Sequence, residues 1–372
     1  MNVEGTCDDA FKACRESMAV NLADGHDLGA AFAVVHDGSL VVDLYGGYAD
    51  AARTRPWARD TLVNVWSTTK GVMALAIAMA VERGQLAYDA PIAGVWPEFA
   101  ANGKDDITLD LVMSHRAGLN GLDRAMDIDG VYAWFPVVEA LAEMAPLWPP
   151  GSRCAYHAMT YGHLAGEVLR RADGRMPGRF IAEEIAGPLE MAFFVGLPES
   201  EDHRVAELVA SDDASDWLAD IKENGYPHAM ENPTVTALTP NERAWRAADI
   251  PAGNGQADAR SLARLYGALA TGGGDLISAD GLAAATAERY RGPDVSMGLP
   301  TAFAAGFRLG DDTGAFGPSL KAFGHTGWGG AFAFADPEAS LGVAFVMNRM
   351  LGSGDDAITR HTRLIDSVYS AL

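Results

Sequence analysis

Residues Asn64–Val81 constrain the chain more than any other stretch. They read Asn-Val-Trp-Ser-Thr-Thr-Lys-Gly and then run almost wholly apolar from Val72 to Val81. Periodicity does not separate a buried strand from a buried helix in such a run. Its length and its content of Ala, Leu and Met favour helix. A helix apolar on every side belongs in a core, and the run is too short to cross a bilayer, which takes about 20 residues. Ser67 and Lys70 then fall one turn apart on a shared face. In the first turn, unpaired N–H groups and the positive dipole end stabilise negative charge developing at Ser67. An isolated Ser-x-x-Lys is more often an N-cap serine followed by a lysine snorkelling to solvent. Here the chain has five lysines and a single Ser-x-x-Lys, whose lysine opens an apolar helix. A buried lysine needs a reason.

At 372 residues, 49% of them hydrophobic, the chain suffices for a large core, as one domain or two interleaved ones. Its formal charge of -22 disfavours nucleic acid and anionic membranes as partners, because both bind through Lys and Arg. Met1–Asp9 has neither a basic flank nor an apolar segment of the secretory kind. Cys7, Cys14 and Cys154 lack metal-site spacing and read as free thiols. A cytoplasmic protein is expected; oligomeric state is not legible.

Cys7 to Leu22 reads as helix. Ala30–His36 and Leu40–Tyr45 read as strands around Asp37-Gly38, a strong hairpin signal. A long, mostly helical region follows Gly84, with Ser114–Leu119 a loop-like cluster. His115 there is a catalytic candidate, although a histidine in a helix-ending loop is commonly structural. Pro149-Pro150-Gly151 turns the chain into a segment carrying Tyr156, His157, Tyr161 and His163. Glu199–Asn224 reads as an acidic, solvated helix or cover. Pro251–Gly255 is a rigid loop before a helix capped by Asp258 or Ser261 and closed by Gly272–Gly274. Strand patterning returns at Ala302–Leu309, Phe323–Gly330, Ala331–Ala335 and Leu341–Met347, and a final amphipathic helix covers about Asp356–Leu372. The two β ends are expected to join in one antiparallel sheet flanked by helices, an α/β (α+β) fold with an inserted, mainly helical lobe. The expected division is 1–85 with 300–372 for the sheet and 86–299 for the lobe, the site lying between them.

Three motifs occur in order: Ser67-Thr68-Thr69-Lys70, Tyr156-His157-Ala158 after Pro150-Gly151, and His325-Thr326-Gly327. With these the chain resembles the serine β-lactamase and penicillin-binding-protein superfamily, and within its class C branch the family VIII carboxylesterases. The resemblance implies the β-lactamase/transpeptidase-like fold and a catalytic set of Ser67, Lys70 and Tyr156. Ser67 would attack, since a serine hydroxyl becomes a good nucleophile once a base takes its proton. Lys70 and Tyr156 share the base role, and a close lysine could draw the tyrosine pKa down towards neutrality. The oxyanion donors would be the N–H groups of Ser67 and Trp328. His325, Thr326, Gly327, Trp328, Gly329 and Ala158 would line the substrate site, with Asn348 against a substrate acid group. No cofactor or metal is required.

Two positions depart from the lactamase pattern. Ala158 replaces an asparagine that binds a substrate amide, and His325 replaces a lysine that helps hold a β-lactam carboxylate. Both changes remove groups that recognise penicillins and spare those that break an acyl bond. A carboxylesterase acting on short-chain or accessible esters is therefore expected. A β-lactamase, a D-amino-acid peptidase and an acyltransferase are alternatives within the fold; a catalytically silent binding or sensor protein is the alternative outside enzymes. No Gly-x-Ser-x-Gly occurs, so the α/β-hydrolase elbow is absent.

Overall fold

The structure, a computed structural model, describes residues 2–216, 218 and 232–372. Three strands open the chain: β1 (Val3–Cys7), β2 (Gly29–His36) and β3 (Ser39–Gly47). Four two-residue strands follow, β4 (Val63–Asn64), β5 (Phe193–Phe194), β6 (Val209–Ala210) and β7 (Gln256–Ala257). The later strands are β8 (Tyr290–Asp294), β9 (Leu299–Phe303), β10 (Arg308–Leu309), β11 (Phe323–Thr326), β12 (Phe332–Asp336), β13 (Leu341–Met347) and β14 (Arg349–Met350).

Nine of them form one antiparallel sheet in the order β1-β3-β2-β13-β12-β11-β10-β9-β8. The early hairpin and the late meander are joined by β2 and β13, whose register runs from His36 opposite Leu341 to Ala30 opposite Met347. Asp37 and Gly38 make the hairpin turn with φ of 48° and 74°, the left-handed pair that matches strand twist.

Helices cover both faces. Gly342 of β13 lies against Gly267 of the Ala259–Ala270 helix. Phe345, three residues on and so on the opposite face, meets the Arg360 guanidinium of the Asp355–Tyr369 helix. Asp258 caps the first of these helices by accepting from Ser261 N. The apolar run forms the Thr69–Glu82 helix, and Lys70 through Ala80 are all buried, as a central core helix requires. Among the described residues no helix is long and apolar enough to cross a membrane.

Some expectations need correction. The helix expected from Cys7 begins at Lys12, and β1 precedes it; Arg15 ties the two by donating to Val3 O (2.7 Å) and Gly5 O (2.9 Å). The sheet takes in β8, and the Ala259–Ala270 helix covers it, although both fall on the lobe side of a boundary at residue 300. Of the expected acidic cover, Glu199–Arg204 forms one short helix and Val209–Ala210 a strand beside β14. Residues 217 and 219–224 of that stretch lie outside the described residues.

Candidate active site

The chain enters the core helix through a sharp corner rather than a straight run. β4 pairs with β7, and Val65 N donates to Gly255 O at 2.9 Å. Trp66 then takes a left-handed φ of 46°, which costs a non-glycine residue about 1–2 kcal/mol. Its indole is held between Trp245 and Trp328, at centroid distances of 5.4 and 4.7 Å. Ser67 sits in the tight turn Trp66–Thr68, and the α-helix proper starts at Thr69. The helix expected to carry Ser67 in its first turn thus starts two residues later, with Ser67 in the tight turn that precedes it. The corner lifts Ser67 onto the floor of a pocket of about 320 Å³.

Lys70 is shut off from solvent beneath that floor. Its Nζ lies 3.0 Å from Ser67 Oγ, 2.8 Å from Ala158 O and 2.8 Å from Ala252 O. Burial holds its pKa well below the usual amine range, and no carboxylate counters this. The partner set suits a neutral amine: two N–H groups reach two carbonyls that can only accept, and the lone pair faces a hydroxyl that can donate. The Pro251–Gly255 loop supplies one of those carbonyls. Ala158 supplies the other through its backbone, and its side chain does not form part of the pocket wall.

Tyr156 lines the pocket with Ser67, and its ring centroid lies 4.9 Å from Lys70 Nζ. Burial pushes its phenol above the ordinary range, with the Ser67 side chain a smaller opposing influence. The expected pull of a lysine cation on this phenol is therefore not what the site displays, because burial disfavours both charged forms. Tyr156 N donates to Ser296 Oγ (3.0 Å), which donates to Asp294 Oδ1 (2.7 Å). The His115 ring packs behind it at 4.7 Å. His115 is buried, kept well below the imidazole range chiefly by burial, and lies off the pocket wall. His157 Nδ1 donates to Ala155 O (2.7 Å) while its Nε2 accepts from Leu119 N (3.2 Å). His163 is buried against Trp134. Both are structural.

The third motif ends β11 against the Ser67 corner. A Cβ on Gly327 would fall 2.3 Å from Val65 O, so only glycine lets the two segments touch. Gly327 N donates to Ala331 O (2.6 Å). Gly330 has φ of 120°, and a Cβ there would meet the Arg360 guanidinium. Arg360 is buried, donates to Gly329 O and Arg349 O, and faces Asp27 at 3.4 Å, fixing the loop beside Trp328. His325 donates from Nδ1 to Thr326 O at 2.7 Å, and burial pushes its pKa down to about 3. It enters the pocket as a neutral ring.

His325, Thr326, Gly327, Trp328 and Gly329 all line the pocket with Ser67 and Tyr156. Asn348 does not. It is buried beside β2, accepting from Gly29 N (2.9 Å) and donating to Tyr48 O (3.1 Å), so its amide serves the sheet instead of a substrate acid group. Sequence reasoning missed the opposite wall, where Met297, Leu299, Pro300, Phe303 and Leu351 form an apolar side and Asp294 and Arg308 are its charged members. The available signal was punctuation by Gly292-Pro293 and Gly298-Leu299-Pro300, which marks turns without saying what they face.

A hydroxyl 3.0 Å from a buried amine, with a buried phenol on the same pocket, suits acyl transfer, and the wider comparisons agree in kind. "Esterase/beta-lactamase LipL" of Mycobacterium tuberculosis is 35% identical over 369 residues, spanning 94% of this chain and 83% of that protein. The crystal structure of a family VIII carboxylesterase superposes with a TM-score of 0.92 at 40% identity over the full length of both chains. A penicillin-binding protein homologue from Caulobacter crescentus gives 0.90 at 42% identity, again over both whole chains. The family model described as Beta-lactamase matches residues 10–366. With the corner, the core helix and the glycine-lined strand end all inside that span, the chain belongs to the β-lactamase family.

Proposed function

We propose that the chain is a serine carboxylesterase that hydrolyses short-chain or otherwise accessible carboxylic esters through an acyl-enzyme on Ser67. The observation that carries the mechanism is the partner set of Lys70, two carbonyls and one hydroxyl with no carboxylate. Neutral Lys70 takes the proton of Ser67 as Oγ attacks the ester carbonyl. The N–H groups of Ser67 and Trp328 stabilise the oxyanion. Tyr156, which keeps its proton, passes it to the departing alkoxide and is reprotonated from Lys70. Water then repeats the sequence on the acyl-enzyme.

Ester over lactam is favoured by two positions near Ser67. His325 is neutral, and Ala158 offers no side-chain amide, so neither recognises the carboxylate or the amide of a penicillin. Names that pair esterase with β-lactamase among the relatives keep lactam cleavage as the second activity to measure. The three unpaired thiols suit a reducing compartment, and we place the enzyme in the cytoplasm on that ground.

Hydrolysis of p-nitrophenyl acetate, butyrate and octanoate is compared with that of a chromogenic cephalosporin, in wild type and Ser67→Ala. Ester turnover is expected to fall by at least about 10³-fold in the variant. Turnover surviving in Ser67→Ala would remove Ser67 from the mechanism. Faster cephalosporin than ester cleavage would reverse the assignment of substrate.

A further inference from the structure

Gly327, Trp328, Gly329 and Gly330 make a β-turn, closed by Gly330 N donating to Gly327 O at 3.0 Å. Gly329, its third residue, has φ of 86°, the sign that a type II turn requires there. A buried cation grips this turn from behind. Arg360 of the Asp355–Tyr369 helix donates through Nη2 to Gly329 O, and Leu351 N donates to the same oxygen at 3.2 Å. Its Nη1 donates to Arg349 O at 2.9 Å and lies 3.3 Å from His26 O and 3.4 Å from Asp27 Oδ1. Arg360 is 1% exposed, and an arginine keeps its proton even so.

The sequence of these bonds along the backbone has a direction. A carbonyl and the N–H of the next residue belong to one conjugated unit. A donor on that carbonyl polarises the unit and makes its N–H a stronger donor in turn. The Gly329 carbonyl, held by Arg360, shares its unit with the Gly330 N–H. That N–H donates to the Gly327 carbonyl, which shares its unit with the Trp328 N–H. Two peptide units are thus polarised in one direction, from a buried cation to the N–H assigned to the oxyanion. The other assigned donor has only neutral backing. Ser67 N–H shares its unit with the Trp66 carbonyl, which accepts from Thr69 Oγ1 at 2.5 Å, and that hydroxyl accepts from Gly255 N at 3.0 Å.

We propose that Arg360 is a positioning residue for the oxyanion hole, aiming and strengthening the Trp328 N–H through the two peptide units of the turn. This rests on the reading of Ser67 and Trp328 as oxyanion donors and adds the residue that drives one of them. Arg360 lies off the pocket wall, so it acts through the backbone and touches no substrate.

The test compares wild type, Arg360→Lys and the double variant Asp27→Asn/Arg360→Met, which leaves no unpaired buried carboxylate. Three readouts are taken: kcat and KM for p-nitrophenyl butyrate, the Ki of phenylboronic acid, and the infrared carbonyl band of the acyl-enzyme formed from carbonyl-labelled p-nitrophenyl pivalate. Phenylboronic acid forms a tetrahedral, anionic adduct on a serine oxygen, and neither its Ki nor the band position depends on the folded fraction. The double variant is expected to lose about 10- to 50-fold in kcat/KM, mostly in kcat, less than the about 10²- to 10³-fold that follows outright loss of an oxyanion donor. Its boronate Ki should rise by a similar factor, and its carbonyl band should move to higher frequency. Arg360→Lys keeps the charge and should recover part of each change. A Ki within roughly threefold of wild type with an unmoved band overturns the proposal even if the rate falls, because Arg360 then serves only the fold. If the wild-type band matches that of the same acyl-enzyme unfolded in urea, the oxyanion reading itself fails and the proposal falls with it. If wild type hydrolyses no ester, the esterase reading fails separately and the boronate Ki alone decides: the rise in the double variant supports the proposal, and equal values, or no uptake by wild type, overturn it.

Discussion

Lys70 and Lys104 are both fully buried, and both spend donors on backbone carbonyls. Lys104 donates to Ala101 O (2.7 Å) and Met144 O, and lies over the Phe99 ring at 5.3 Å. It fastens the loop after Pro97–Ala100 to the end of the Phe135–Glu143 helix. Burial lowers its pKa, but the Asp123 charge works in the opposite direction and supports the cation. Lys70 has two carbonyls as well, but its third neighbour is a hydroxyl, and no acid offsets the burial. Carbonyl capping alone is therefore a structural use of a buried lysine. What changes the chemistry is a proton donor at the third position and a pocket above it.

The comparison breaks most readily by exchanging each lysine for methionine. Lys70→Met is expected to lower kcat/KM for esters by about 10³- to 10⁴-fold, measured by initial rates. Lys104→Met should leave kcat/KM within roughly threefold while costing about 1–3 kcal/mol in urea unfolding, because two carbonyls lose their donor. Equal losses of activity in both variants would mean that Lys70 acts only through the fold.

The pH profile of kcat/KM sharpens the same contrast. Lys70 must shed its proton before it can accept that of Ser67, so the rate rises with pH and levels off once the amine is neutral. Burial moves that point down, and the plateau is expected to be reached below the ordinary amine range. Tyr156 is displaced upward, so a phenolate base would leave the rate still climbing beyond about pH 10. Tyr156→Phe should cost about 10²-fold and keep the position of the low-pH limb. The smallest effect is expected at Asn348. Asn348→Ala should destabilise by about 1–3 kcal/mol, since Gly29 N loses its acceptor, with little change in KM.

Elements with a repeating signal were legible. The Asp37-Gly38 hairpin, the apolar core helix and the late meander carry turn residues or long apolar runs, and they stand where the pattern puts them. β1 and β8 were not, and both are sheet edges. An edge strand need bury little, so alternation fades; β8 even contains Pro293, tolerated where a ladder bond is not required. The site divides in the same way. Ser67, Lys70 and Tyr156 were marked by spacing and motif, whereas Met297 and Leu299 reach the pocket only through the placing of that edge hairpin. Asn348 illustrates a different failure: an asparagine at a strand end looks the same in sequence whether its amide meets a ligand or a neighbouring backbone.

Gly29 and Asn348 are 319 positions apart in the chain, yet the β2–β13 seam holds them side by side. During synthesis at about 5–20 residues per second, the β2–β3 hairpin waits roughly 15–65 s for its central partner. For that interval the edge of β2, eventually shut inside the sheet, is an open row of backbone donors and acceptors. Ribosome speed, temperature and chaperone supply therefore bear on the yield of this protein through one seam, and variants that stiffen or charge the waiting hairpin should affect how much is made before they affect how fast it works.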